Sequence, residues 1–315
     1  MKKDITRLVK TLLIAIVMLV AVDITVGVVS DRLMDKLPDF SGDLAKDNYR
    51  LRRLETDVVI IGSSRGSGHY VTSLLSDSLD AYYGEHLSIY NASIAGKRVN
   101  SNCCAAEALI ARCRPQLVIY DIFEKMLCDP RVDDIEFSAP YYWKDTIVRR
   151  YLDDIGLRER ILMKSSLYRY NGKLVRIAST ISNPQAPNDG YEPMFGTHSD
   201  LAKRDDDEEE VSMPTEEMDS YVLKHFEDVL RKYSSESIPL IIVCSPRFCP
   251  RDNNKRLAVI CDQYGVPFVD FYDTPYFNEH PELFRDGKHM NDNGAHVFSA
   301  MLIERLKPYL PVSCK

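Results

Sequence analysis

A serine that attacks an acyl carbon needs a base to take its proton and a third group to orient that base. One such set can be picked out of this sequence. The apolar run Asp57-Val58-Val59-Ile60-Ile61 reads as a strand buried on both faces and stops at Gly62-Ser63-Ser64-Arg65-Gly66. A serine at that junction stands at the carboxyl edge of a sheet and near a helix N-terminus, where backbone N–H groups favour developing negative charge. The plainer alternative is that Ser63 or Ser64 caps the helix suggested by Tyr70, Leu74, Leu75 and Leu79. Far downstream, Phe284-Arg285-Asp286-Gly287-Lys288-His289-Met290-Asn291 precedes an amphipathic helix expected over 295–306. Asp286 can accept the Nδ1 proton of His289 and leave Nε2 facing outward.

The elements that must position these groups alternate in type. Strands are expected at 57–61, 87–91, 116–122, 239–244 and 266–271, with helices near 100–112, 251–264 and 295–306. That alternation predicts a doubly wound parallel sheet with helices on both faces, an α/β fold whose functional loops lie at the carboxyl ends of the strands. The interval at about 129–214 interrupts it and reads as a partly helical insertion, with helices expected over 147–152 and 158–177. Within it, Tyr141-Tyr142-Trp143 could stack on a sugar or pack the insertion. The six acids Asp205 to Glu210 read as a solvated run.

Serine first and Asp-x-x-His last, with Gly96 in Asn91-Ala92-Ser93-Ile94-Ala95-Gly96 after the second strand, resembles the SGNH hydrolases, the GDSL esterase and lipase superfamily. The resemblance runs from about 57 to 310. It implies a flavodoxin-like three-layer fold, Ser64 as nucleophile, and Asp286 and His289 as its partners. It also implies an oxyanion hole from the backbone N–H groups of Ser64 and Gly96. The sequence departs from the family after strand three. Ile119-Tyr120-Asp121-Ile122-Phe123-Glu124 lacks the asparagine that usually supplies a third oxyanion donor, and Arg65, Asn100 and Asn102 are the candidate substitutes. Arg65 and Trp143 are further candidates for substrate contact.

Residues 1–10 are basic, and 8–29 are apolar except for Lys10 and Asp23. About 22 residues at 1.5 Å each can span a hydrocarbon core of roughly 30 Å. A retained signal anchor over 11–30, a cleaved secretory signal and a buried helix all fit this pattern. The first two send the remainder across the membrane, with 31–53 as a juxtamembrane linker and 54–315 as the hydrolase-like domain. The 315 residues carry net charge −7 and no basic stripe, which argues against a nucleic-acid partner. Eight cysteines permit pairing or buried thiols, and the seven histidines show no metal-ligand spacing, so no metal and no cofactor are expected. The reading is an extracytoplasmic serine esterase for O-acyl groups of a surface glycan or another small ester, beside envelope polysaccharide machinery. The alternatives are an O-acyltransferase, an inactive SGNH-like binding protein, and a nucleotide site at 62–68 that lacks the P-loop spacing.

Overall fold

The computed structural model describes residues 2–39, 42–84, 86–131, 133–186, 188–197 and 217–309. The acidic run 205–210 lies outside them. The chain divides into two compact units, Met1–Ala45 with Ile135–Ala186, and Lys46–Asp134 with Pro187–Lys315.

The second unit is built on five parallel strands, β1 (Val58–Ile61), β2 (Ile89–Asn91), β3 (Leu117–Asp121), β4 (Leu240–Cys244) and β5 (Phe268–Asp270), in the order β2-β1-β3-β4-β5. This is the flavodoxin-like order, with the reversal beside β1. Every residue of β1, β3 and β4 is buried, which suits their mainly apolar sequences, with Asp121 at the end of β3 the buried charge among them. Val58 and Ile60 of β1, Leu117 and Ile119 of β3, and Ile241 and Val243 of β4 join one core with Leu75, Leu79, Phe298 and Leu302. That core lies beneath helices Thr72–Tyr83 and Asp292–Leu306. Tyr120, one residue out of phase, meets Phe226 edge-on at 6.0 Å instead. There helices Val99–Arg112 and Ser220–Glu236 pack together, and Tyr233 donates to the Ala106 carbonyl at 3.0 Å.

The strands are shorter than expected, but each falls where the apolar runs put it. Two other expectations change. A single helix over 158–177 is broken into Leu157–Leu162, Ser166–Arg169 and Leu174–Ser182. Ser165 starts a new helix by accepting from the Tyr168 amide, and Gly172 adopts φ +68°, which no continuous helix permits. The polar stretch 31–53, read as a linker, is largely helical, being covered to Met34 by helix Lys2–Met34 and from Gly42 by helix Gly42–Arg52. Residues 135–186 of the interval read as an insertion group with the N-terminal helix in the first unit. That helix is long and apolar enough to cross a membrane.

Candidate active site

β1 delivers the chain to Gly62, and the backbone then turns into the short helix Ser64–His69. Ser63 occupies the cap position without making a side-chain cap bond, and Ser64 is the first helical residue, so the capping reading of these serines does not hold. The turn is pressed against its neighbours. A Cβ on Gly66 would lie 2.5 Å from Ser93 Oγ and 2.9 Å from Ser93 Cβ. Glycine is therefore what lets the nucleophile turn approach the segment after β2.

Ser64 Oγ lies 2.8 Å from His289 Nε2, and His289 Nδ1 lies 3.0 Å from both Asp286 oxygens. Asp286 Oδ1 also accepts the amides of Lys288 and His289, at 2.8 and 2.9 Å, so the carboxylate is fixed by its own loop. A bridge between Phe284 and Met290 closes that loop, and Asn291 caps the final helix by accepting from the Gly294 amide at 3.0 Å. Burial pushes the Asp286 carboxyl up. The hydrogen bonds from the His289 ring and the two amides, with the His289 charge, outweigh it and bring the group down to about 2. An ionised Asp286 holds the ring proton on Nδ1, so Nε2 accepts from the serine hydroxyl. A hydroxyl, an imidazole and a carboxylate, the first more than two hundred residues from the other two, thus stand in hydrogen-bonded series.

Two backbone amides are candidate donors for an oxyanion. As the first helical residue, Ser64 has an N–H with no intrahelical acceptor. Gly96 is exposed at φ +78°, and its amide has no acceptor among the described residues. The three candidate substitutes for the missing asparagine each keep one side-chain N–H group without a partner among the described residues, and they differ in how the rest of the side chain is held. Asn102 accepts from Arg50 through Oδ1 at 3.0 Å beside Asp47 and Ser101, and its Nδ2 has no partner among the described residues. Arg65 is buried, with its guanidinium 4.9 Å from the Phe123 ring and 5.1 Å from the Tyr272 ring, and it donates to the Ser245 hydroxyl and carbonyl. Buried and held on Ser245, it is not an exposed side chain, while its Nη1 has no partner among the described residues. Asn100 is 1% exposed, and both atoms of its amide lack a partner among the described residues. Trp143 belongs to the other unit, half exposed, edge-on to Tyr142 and under Arg149.

A buried layer behind the site was not legible beforehand. His69 is fully buried, its Nε2 accepts the Met290 amide at 2.9 Å, and its Nδ1 lies 3.0 Å from Ser245 Oγ. Ser245 Oγ lies 3.2 Å from Asp121 Oδ2, and the Ser245 amide donates to Asp121 Oδ1 at 3.0 Å. Burial above all, then the charges of Arg65 and His289, hold His69 well below its usual range. A neutral ring with its proton on Nδ1 satisfies both bonds. Burial likewise raises Asp121, although Arg65 and Ser245 pull the other way. The nucleophile helix is thus tied through His69 to the residue after His289. Among the described residues no disulfide is formed, and Cys103, Cys104, Cys244 and Cys261 are buried.

No family model and no curated protein matches the sequence. Among solved structures, the chain is similar to the lipase/acylhydrolase of Enterococcus faecalis, at 13% identity over 81% of this chain and 97% of that one, with a TM-score of 0.40. It is also similar to a protein of Bacteroides fragilis assigned as an acylhydrolase, at 12% identity over 87% of this chain and 100% of that one, with a TM-score of 0.36. Likenesses this distant carry no argument about this chain. The strand order is that of a flavodoxin-like α/β fold, and Ser64 and His289 meet at the carboxyl edge of its sheet.

Proposed function

We propose that the chain is a serine esterase that hydrolyses O-acyl esters, with Ser64 as nucleophile, His289 as base and Asp286 as its orienting carboxylate. The relay from Ser64 Oγ to His289 at 2.8 Å and on to Asp286 at 3.0 Å carries this reading. As Ser64 Oγ bonds to the acyl carbon, His289 Nε2 takes its proton, and the amides of Ser64 and Gly96 with the Asn100 side chain hold the oxyanion. Collapse breaks the ester C–O bond, and His289 returns the proton to the departing alcohol. Water then repeats the sequence on the acyl-serine, releasing the carboxylic acid and regenerating Ser64. Among the described residues no group of three His, Cys, Asp or Glu side chains is placed to hold a metal, and the mechanism draws on none.

Location narrows the substrate. The basic start supports an N-terminal cytoplasmic end with the Ser64 site on the opposite, extracytoplasmic side, which favours an O-acetylated surface glycan as the ester. The test is acetate release from p-nitrophenyl acetate and from an O-acetylated oligosaccharide. Release by the wild type and none by Ser64→Ala is expected. No release by a well-folded wild type from either compound would remove the proposal, and transfer of acetate to an added sugar rather than to water would replace hydrolysis with acyl transfer.

A further inference from the structure

In the first unit, Asp23 interrupts the apolar stretch of the N-terminal helix. Its side chain accepts from Ser165 Oγ at 2.5 Å and from the amides of Ser166 and Leu167 at 3.0 and 2.9 Å, capping the helix Ser166–Arg169. Gly27 lies one turn on, and a Cβ there would fall 2.5 Å from Ser166 Oγ. Gly27, Ser30 and Met34 then form a buried stripe at helical spacing, whereas residues 3–22 are exposed on all sides. The N-terminal helix therefore changes surroundings at Asp23, and a protein surface begins there.

Depth follows from helix geometry. The apolar run ends at Val29, before Ser30 and Asp31. At 1.5 Å per residue, Asp23 lies about 9 Å and Val26 about 5 Å inside that end. Val26 lines a groove of about 240 Å³ with Leu167, Tyr170, Leu174 and Val175. Beside it Val175 is 82% exposed and Leu167 42%, while Leu157 and Ile161, one turn apart on the neighbouring helix, are 70% and 56% exposed. A band about 5 to 10 Å deep is where interfacial helices seat their apolar faces in lipid.

We infer that the helices Leu157–Leu162, Ser166–Arg169 and Leu174–Ser182 are embedded in the membrane surface beside the N-terminal helix, with lipid acyl chains filling the groove at Val26. The apolar patch is continuous with a helix whose exposed 11–22 stretch is apolar and, on the anchor reading, lies in hydrocarbon. That stretch is dominated by Leu, Ile, Val and Met rather than by the small residues that pair helices of two copies, which favours lipid as the occupant. Asp23, saturated by three donors, is tolerable at that depth. The inference rests on the membrane-anchor reading of the N-terminus.

The test uses the full chain in phosphatidylcholine nanodiscs. A Trp143→Phe background removes the only tryptophan. Val175→Trp, Leu157→Trp and, for comparison, Leu12→Trp are introduced singly, and emission is read with 6,7-dibrominated lipid and with aqueous iodide. All three should be quenched at least twofold by the brominated lipid and little by iodide. Quenching of Leu12→Trp alone, with the other two reached by iodide or shielded from both quenchers, would overturn the inference and leave the anchor standing. No lipid quenching of Leu12→Trp would remove the anchor itself.

Discussion

Replacing Asp286 by asparagine keeps the shape of the side chain and removes its charge, which isolates the role assigned to that carboxylate. The new amide can still accept from the Lys288 and His289 backbone through Oδ1, and its NH₂ then faces His289 Nδ1. The ring must place its proton on Nε2, against Ser64 Oγ, and the base is lost. In serine triads that exchange costs roughly 10⁴ in kcat. Asp286 is 43% exposed, so water partly replaces it, and a loss of about 10³ is expected here. Stability should follow the same group. A carboxyl lowered from 3.8 to about 2 corresponds to about 2.4 kcal/mol, and to about 1 kcal/mol once solvent screening is allowed for. Because the folded-state value is depressed, this contribution is complete above the ordinary carboxylate range and disappears as pH falls through about 2. Denaturant unfolding should show the wild type ahead of Asp286→Asn by about 1 kcal/mol near neutral pH, with the gap closing toward pH 2. Turnover of p-nitrophenyl acetate within threefold of wild type, with a gap that does not change with pH, would refute the assignment.

Other substitutions separate chemistry from support. Asn100→Ala should lower kcat by about 10² to 10³ with KM nearly unchanged. Asn102→Ala, which strips Arg50 of a partner, should cost about 1 to 3 kcal/mol in unfolding free energy and leave kcat alone. Gly66→Ala forces a Cβ onto Ser93 and should destabilise by about 1 to 3 kcal/mol, with partial recovery in Gly66→Ala/Ser93→Ala measured by thermal unfolding. His69→Ala should lower kcat about tenfold by freeing the Met290 amide, and His69→Gln, which can still accept from it, should recover most of that loss. Equal kcat values for these two variants would show that the bond to Met290 does not position His289.

What could be read beforehand was local. The run Val58 to Ile61 stops at a glycine and two serines, so a sheet-edge serine was visible, and Asp286 with His289 lie in one short loop before a recognisable helix. Spacing along Val99–Arg112 could not say that Asn102 meets Arg50 while Asn100 is left without a partner, because that depends on which face the Gly42–Arg52 helix covers. His69, Ser245 and Asp121 come from three separate elements and meet only when the sheet forms. In the sequence, Asp121 stands out only as a carboxylate where an oxyanion donor would be. The break of 158–177 was signalled by Gly172 and Ser165, yet periodicity outweighed them until the cap geometry was seen.

The central claim is that Ser64 is activated by His289. The most direct measurement is intact-mass analysis of the full chain after treatment with a fluorophosphonate, beside Ser64→Ala and His289→Ala. One adduct on the wild type, mapped to Ser64 and absent from both variants, is the predicted result. A folded wild type that takes no adduct, or takes it on another serine, would contradict the account.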